Sequence, residues 1–401
     1  MHDGASILLT IFAIFVAAQI GAEIAQRLKL PGVVGEIVAG CLIGPSVLGW
    51  IQPEQILAGT SLDVLAELGV VFLLFSVGLE TRLEELGKVG RSAFLVGVLG
   101  VIVPFVLGSL WAHGNGFDWV KSMFVAAAFV ATSAGITARV LQELGVITRI
   151  ESRVILGAAV IDDILAMLLL GVVTSLQEGG GFDIARLLFV LLQAVGFIAV
   201  IAWVGTRVMR NRSHWLDGPI NPQSPLSIAL AICLGLAFLS TEFGLAAIIG
   251  AFLAGMIASE MHQRDELEHK MRPLLVLLTP FFFVITGAKI DLAVFTSASA
   301  LWMLAVVTAI AIVSKLAGGF LGALSLGTRS AAIVGVGMIP RGEVGIVIAS
   351  LGLAAGVFNN EIYAVIVAMS LLTSIVTPPV LGWLLKRGDG MPPQRDSASG
   401  S

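Results

Sequence analysis

Long apolar runs, separated by short polar connections, occupy almost the whole chain. A helix needs about 20 mostly apolar residues to cross the hydrocarbon of a bilayer, and by that rule we predict about thirteen transmembrane helices. Their positions are 6–27, 31–50, 63–80, 92–111, 121–142, 153–176, 184–208, 225–241, 244–260, 270–288, 299–325, 330–357 and 361–385. The short connections favour one bundle, so the predicted class is an all-α polytopic membrane protein.

The basic residues of the connections fall almost entirely on one side of this bundle. Only Lys121, Arg186 and Lys289 fall on the other side, while Lys315 and Arg341 lie within spans. Lysine and arginine accumulate in cytoplasmic loops. We therefore predict that the N-terminus lies outside the cell and the C-terminus in the cytoplasm.

The composition narrows the range of functions. The chain is 57% hydrophobic and only 12% charged, which excludes a water-soluble enzyme. Its net charge of −4 comes with no basic tract that would attract nucleic acid. Cys41 and Cys233 both lie in apolar runs, and no group of residues has the spacing of a zinc site or a phosphate-binding loop. We expect no enzymatic activity, no cofactor and no nucleic-acid partner, and membrane lipids as the surroundings.

Two pairs of segments resemble each other at a nearly constant separation along the chain. Residues 35–40 resemble 250–255, and residues 72–78 resemble 281–287. The separation between the two members of each pair covers an odd number of predicted helices, so the two copies cross the membrane in opposite directions. Such an inverted-topology repeat is typical of secondary transporters, which bind their substrates near the midplane.

The same repeat relates two spans that we predict to break. Pro340 interrupts span 12, because proline has no N–H and its glycine neighbours lower helix propensity. The corresponding part of span 5 contains Gly135, which marks the break, and Thr132, Ser133 and Thr137, whose hydroxyls we expect to bond backbone groups freed in the partner break. Broken helices that meet at the midplane expose carbonyls and helix ends able to compensate charge. A simple proline kink beside a Ser/Thr packing face is the alternative.

Five charged residues lie deep within spans: Asp162 and Asp163 in span 6, Lys315 in span 11, and Arg341 and Glu343 in span 12. Each such charge costs roughly 2.5–3.5 kcal/mol on insertion scales. Neighbouring helical residues point about 100° apart, so one aspartate can face the lysine while the other faces a cavity. A carboxylate in that cavity holds either a proton or a monovalent cation, which is sufficient for antiport. Ion pairs that only hold helices together are the alternative.

Taken together, these residues resemble the bacterial monovalent cation:proton antiporters, in the NapA/Kef-like branch and closest to the NapA type. The matching segments are 30–40 with Gly44 and Pro45, 72–80, 132–139, the pair Asp162 and Asp163, Lys315, and 340–345. They extend over spans 2–12. The resemblance implies an NhaA/NapA-like fold with two crossing broken helices, and a homodimer in the bacterial inner (plasma) membrane.

The resemblance also divides each protomer into parts. It implies a dimerisation panel at 1–90 and 225–297, an ion-transporting core at 91–177 and 298–387, and a linker helix at 184–212. The polar tail at 388–401 is expected to be disordered. All five deep charges fall in the implied core.

Roles for individual residues follow from the resemblance. It implies that Asp163 binds Na⁺ and that Asp162 forms a salt bridge with Lys315. Thr132 and Ser133 would lie beside the ion, in the break marked by Gly135. Arg341 and Glu343, next to Pro340 in the second break, would offset helix dipoles.

The implied function is secondary active Na⁺/H⁺ antiport by an elevator-like movement, with two protons exchanged for each Na⁺. Sodium is expected because the Kef-like potassium systems typically lack the Asp-Asp pair. Two assignments of the second proton fit the sequence: Lys315 carries it, or Lys315 only tunes Asp162. The alternatives are a K⁺/H⁺ antiporter of the same fold and a Na⁺-coupled organic-anion symporter.

Overall fold

The computed structural model of the chain describes residues 2–28, 30–57, 59–81, 83–177, 184–212, 224–261, 263–289, 297–354 and 356–386. Across these ranges the chain forms α-helices joined by short loops, with two 3₁₀ turns and no β-strand. The helices are α1 (His2–Arg27), α2 (Gly32–Ile43), α3 (Ser61–Glu80), α4 (Leu83–Gly114), α5 (Trp119–Val130), α6 (Ala134–Glu143), α7 (Ile150–Gln177), α8 (Ile184–Arg212), α9 (Ser224–Glu242), α10 (Ala247–Ala258), α11 (Arg264–Ala288), α12 (Ala298–Gly322), α13 (Thr328–Gly337), α14 (Glu343–Ala354) and α15 (Asn360–Lys386). The predicted all-α class is confirmed. The predicted tail at 388–401 lies outside the described residues.

Each predicted span corresponds to one helix or to one pair of half-helices. The span predicted at 121–142 is divided into α5 and α6, and the span predicted at 330–357 into α13 and α14. Both predicted breaks are therefore confirmed. Pro340 lies in the second break, between Gly337 and Glu343.

Two of the predicted spans contain much shorter helices than expected. The helices α2 and α10 have 12 residues each, although we predicted spans at 31–50 and 244–260. A helix of that length is about 18 Å long, well short of the roughly 30 Å hydrocarbon core. The helix α2 ends at Ile43 because Gly44 and Pro45 follow it, and α10 begins only after a turn in which Gly244 has φ 71°. Eight stretches of the described residues are long and apolar enough to cross a membrane by themselves.

The inverted repeat appears as matched backbone contacts. A β-carbon added to Gly40 in α2 would lie 2.0 Å from the carbonyl oxygen of Val284 in α11. At the corresponding place in the other copy, a β-carbon added to Gly255 in α10 would lie 2.1 Å from the carbonyl oxygen of Phe75 in α3. Each short helix thus packs against a long helix of the other repeat, at a position where only glycine fits. These paired contacts confirm the predicted repeat.

The most extensive helix packing falls into two groups. One contains α1, α2, α3, α9, α10 and α11, and we call it the panel group; the other contains α4, α5, α7, α12, α13, α14 and α15, and we call it the core group. The half-helix α6 contacts α2 and α3 on one side and α7 and α15 on the other. The helix α8 packs against α7 and α10. The division into a fixed panel and a moving core stays a prediction.

Candidate ion-binding site

Close backbone packing between α4 and α12 determines where Lys315 lies. A β-carbon added to Gly318 would be 2.5 Å from the carbonyl oxygen of Leu99, and one added to Gly322 would be 2.6 Å from the Cα atom of Val96. Small residues at helix contacts let membrane helices approach this closely. As a result Lys315, one turn before Gly318, is pressed against α4.

Lys315 is fully buried, and each of its three N–H donors has an acceptor. Its Nζ donates to the carbonyl of Gly100 in α4 at 2.8 Å, to the carbonyl of Val130 at 2.6 Å and to Asp162 Oδ1 at 2.6 Å. Val130 is the last residue of α5, so its carbonyl is one of the helix-end groups that lack an intrahelical donor. A cation is favoured at such a C-terminus, where the helix dipole is negative.

Asp162 and Asp163 face different sides of α7, as their spacing predicts. Asp162 is fully buried against Lys315 on the core side, and its Oδ2 has no hydrogen-bond partner among the described residues. Asp163 is 3% exposed and lines a cavity of about 10 Å³, close to the volume that one water molecule needs. The other lining residues are Leu74, Ala134, Leu156, Ala159, Val160, Ile248, Ile249 and Phe252.

The cavity beside Asp163 lies between the two packing groups. Leu74 belongs to α3 and Phe252 to α10, both of the panel group, whereas Asp163 belongs to α7 of the core group. Ala134 is the first residue of α6, so the positive end of that helix dipole is next to the carboxylate. The panel side of the cavity is apolar, and the polar group that lines it, Asp163, belongs to the core side.

The two breaks are joined by hydrogen bonds. The N–H of Ser133 donates to the carbonyl of Pro340 at 2.8 Å, and the Thr137 hydroxyl donates to the carbonyl of Gly337 at 2.9 Å. Gly337 is the last residue of α13, so Thr137 satisfies a helix-end carbonyl of the other break, as predicted.

Thr132, Ser133 and Gly135 differ from the prediction. The hydroxyls of Thr132 and Ser133 are buried and have no hydrogen-bond partner in the described part of the chain, because the extended backbone at Ser133 makes the contact with Pro340 instead. Gly135, which we expected in the break, is the second residue of α6, since the break covers 131–133. Thr132 and Ser133 precede Ala134 in the chain, but they are not among the residues that line the cavity beside Asp163.

Arg341 is fully buried within the second break. Its Nη1 donates to the carbonyl of Ile339 at 2.5 Å and its Nη2 to the carbonyl of Ala311 at 3.0 Å. The helix α15 holds its backbone, since the N–H of Arg341 donates to Thr373 Oγ1 at 3.2 Å. The guanidinium thus contacts one carbonyl just beyond the C-terminus of α13 and one within α12. Glu343 is the first residue of α14, and its side chain lies outside the described part.

A second, partly buried ionic network joins α6 to α2. Arg139 Nη2 lies 3.8 Å from Oε1 of the buried Glu36, and Arg139 Nε lies 2.8 Å from Glu143 Oε1. Glu143 Oε2 accepts a hydrogen bond of 2.9 Å from the N–H of Gly32, the first residue of α2. These contacts tie the last turns of α6 to the panel group.

The sequence did not identify the backbone partners of the charges. The two buried cations donate hydrogen bonds to four backbone carbonyls, those of Gly100, Val130, Ile339 and Ala311. Every residue has a backbone carbonyl, so the sequence does not show which carbonyls bind a cation. Only at the end of α5 did the sequence indicate an available carbonyl, because a predicted helix break leaves carbonyls without intrahelical donors.

An inverted repeat with two crossing helix breaks and buried charges at their meeting point is the architecture of a multi-pass secondary transporter. Comparison with known proteins identifies the family. Residues 11–387 match the family described as "Sodium/hydrogen exchanger, transmembrane", and the chain belongs to it.

Relatives and a solved structure agree with this family. The chain is 36% identical to the high-affinity Na⁺/H⁺ antiporter NhaS3 of Synechocystis, over 95% of this chain and 89% of the relative. It is 36% identical to the Na⁺/H⁺-K⁺ antiporter GerN of Bacillus cereus, over 92% of this chain and 93% of the relative. The structure of the sodium proton antiporter MjNhaP1 from Methanocaldococcus jannaschii superposes with a TM-score of 0.68 at 18% identity, covering 97% of this chain and 100% of the other, which shows the shared fold.

Proposed function

We propose that this chain is a Na⁺/H⁺ antiporter in which Na⁺ and H⁺ compete for Asp163. The observation that carries the proposal is a buried carboxylate beside an ion-sized cavity at the boundary between two packing groups. A carboxylate that holds one ligand or the other, and never both, exchanges them across the membrane. The similarity to two antiporters over nearly the full length of the chain supports the same activity.

The ligands for Na⁺ come from the core side. Asp163 supplies carboxylate oxygens, and the unbonded hydroxyls of Thr132 and Ser133 supply two more oxygens. Unwound segments and half-helix ends are where transporters coordinate Na⁺. Arg341 and Glu343 offset the dipoles of the second break.

Alternating access is an elevator-like movement of the core at 91–177 and 298–387 past the panel at 1–90 and 225–297. The apolar panel side of the cavity, with Leu74 and Phe252, offers the ion no ligand, so the ion travels with the core. The contacts of Arg139 and Glu143 with α2 break during this movement. The helix at 184–212 links the two parts.

Exchange is electrogenic in this proposal, with two protons for each Na⁺. The pair of Asp162 and Lys315 provides a second titratable group one residue away from Asp163. One net charge moved across 100 mV contributes about 2.3 kcal/mol. Such an exchanger extrudes Na⁺ even without a pH gradient.

K⁺/H⁺ exchange is the second candidate, because the name of GerN includes K⁺. We further propose that the protein is a homodimer in the bacterial inner membrane, surrounded by lipid, with its N-terminus outside and its C-terminus in the cytoplasm.

Proton flux in proteoliposomes tests the function. Na⁺, Li⁺ or K⁺ is added with the membrane potential clamped or free, and the internal pH is followed. Proton flux driven by Na⁺ and altered by the potential supports the proposal, whereas flux with K⁺ alone supports the second candidate. Absence of cation-dependent flux in a well-folded sample contradicts both. Asp265→Asn, at an exposed position of α11, is the matched control for any aspartate substitution.

A further inference from the structure

Pro104 lies inside α4, four residues after Gly100. In an α-helix the N–H of each residue bonds to the carbonyl four residues earlier. Proline has no N–H, so the carbonyl of Gly100 lacks the donor that any other residue at position 104 would supply. A carbonyl without a donor is costly within a bilayer, and here Lys315 Nζ supplies the donor at 2.8 Å.

The ammonium of Lys315 thus has two backbone acceptors that exist because normal helix pairing is interrupted. The proline makes the carbonyl of Gly100 available, and the end of α5 makes that of Val130 available. These two bonds do not depend on Asp162. Lys315 therefore stays in place when the bond to Asp162 changes during ion exchange.

We propose that Pro104 is a positioning residue that acts through the carbonyl of Gly100 to hold Lys315 against Asp162. This inference rests on the proposed function for its effect on transport, but its effect on stability does not require transport. An alanine at 104 restores the N–H, which competes with Lys315 for the same carbonyl. The ammonium is then held by fewer acceptors, and its distance from Asp162 is less well defined.

Pro104→Ala is first tested for transport. We expect it to lower Na⁺-driven exchange about tenfold, the size of effect expected when a hydrogen bond to a charged group is weakened. The pH dependence of exchange should also change. Pro280→Ala is the matched control, because Pro280 removes the corresponding donor from Val276 in α11, and α11 carries none of Asp162, Asp163, Lys315 and Arg341.

A stability measurement separates positioning from simple bending of α4. The background is the double variant Asp162→Asn, Lys315→Met, which has neither the ammonium of Lys315 nor the carboxylate of Asp162. In this background the Gly100 carbonyl has lost its donor, so Pro104→Ala should raise the melting temperature by about 2 °C. In the unmodified chain the same substitution should leave the melting temperature equal or lower it.

A rise in melting temperature in the double variant, together with no rise in the unmodified chain, is the result that supports the inference. Equal shifts in both backgrounds would mean that Pro104 only shapes α4, and would overturn it. If Pro104→Ala does not fold in the unmodified chain, its effect in the double variant still decides, since absence of stabilisation there also overturns the inference. If the unmodified protein shows no cation-driven flux, the proposed function fails while the stability comparison still tests Pro104.

Discussion

Asp162 and Asp163 are neighbours in sequence, yet they lie in two different environments. Asp162 is fully buried inside the core group, where it accepts a hydrogen bond from Lys315 of α12. Asp163 faces α3 and α10, beside a small cavity with an apolar far wall. A rotation of about 100° per residue is enough to place one carboxylate inside one packing group and the other at the boundary between two. Identical side chains thus acquire different tasks from the helices that they face.

We expect the largest effect from removing the charge of Asp163, at the boundary between the panel group and the core group. In the proposed function Na⁺ and H⁺ compete for Asp163, so we expect Asp163→Asn to abolish exchange while the protein stays folded. Flux in proteoliposomes measures the first part, and gel filtration with thermal unfolding measures the second. Full activity in a folded Asp163→Asn sample would remove Asp163 from the site.

Loss of the charge inside the core group should instead affect stability. Asp162→Asn leaves the buried ammonium of Lys315 without its carboxylate, which destabilises by roughly 3–5 kcal/mol when one partner of a buried pair is removed. Thermal denaturation in detergent gives the comparison. Adding Lys315→Met to Asp162→Asn removes the stranded charge and should recover most of the stability. A double variant as unstable as the single one would contradict the ion pair.

The cavity itself can be filled from α7. Ala159→Val adds methyl groups beside Asp163, and overpacking of this kind costs about 1–3 kcal/mol. If the cavity holds the ion, as proposed, the added methyl groups occupy its space, and we expect the apparent KM for Na⁺ to rise about tenfold. Ala158→Val is the matched control, because Ala158 is equally buried but packs among core-group residues. Equal KM values for the two variants would show that the cavity does not hold the ion.

A smaller loss of stability is expected from a change at the hydrogen bonds that join the two helix breaks. Thr137→Val removes the donor to the carbonyl of Gly337 and leaves a buried acceptor unsatisfied, which costs about 1–3 kcal/mol. Thr308→Val is the control, because the Thr308 hydroxyl has no hydrogen-bond partner in the described part of the chain. Thermal denaturation should show a larger loss of stability for Thr137→Val than for Thr308→Val. A loss as large in Thr308→Val would mean that the bond between the breaks contributes nothing.

The features that the sequence predicted correctly depend on local physical rules. Pro340 cannot continue a hydrogen-bonded helix, and the step from Asp162 to Asp163 is fixed by helical geometry. The ends of α2 and α10 were predicted less well, because an apolar run continues past the residue at which the helix stops. The backbone partners of Lys315 were not identified from the sequence, since the carbonyls of Gly100 and Val130 are brought together only by tertiary packing. The unbonded hydroxyls of Thr132 and Ser133 likewise depend on the path of the extended segment.

Proton release on Na⁺ binding tests the central claim most directly. Purified protein in weakly buffered detergent solution is mixed with Na⁺, and the released protons are measured with a pH-sensitive dye. If Na⁺ and H⁺ compete for Asp163, Na⁺ releases protons from the unmodified protein and from Asp265→Asn, but not from Asp163→Asn. Unchanged proton release from Asp163→Asn would contradict the claim that this carboxylate exchanges the two ions.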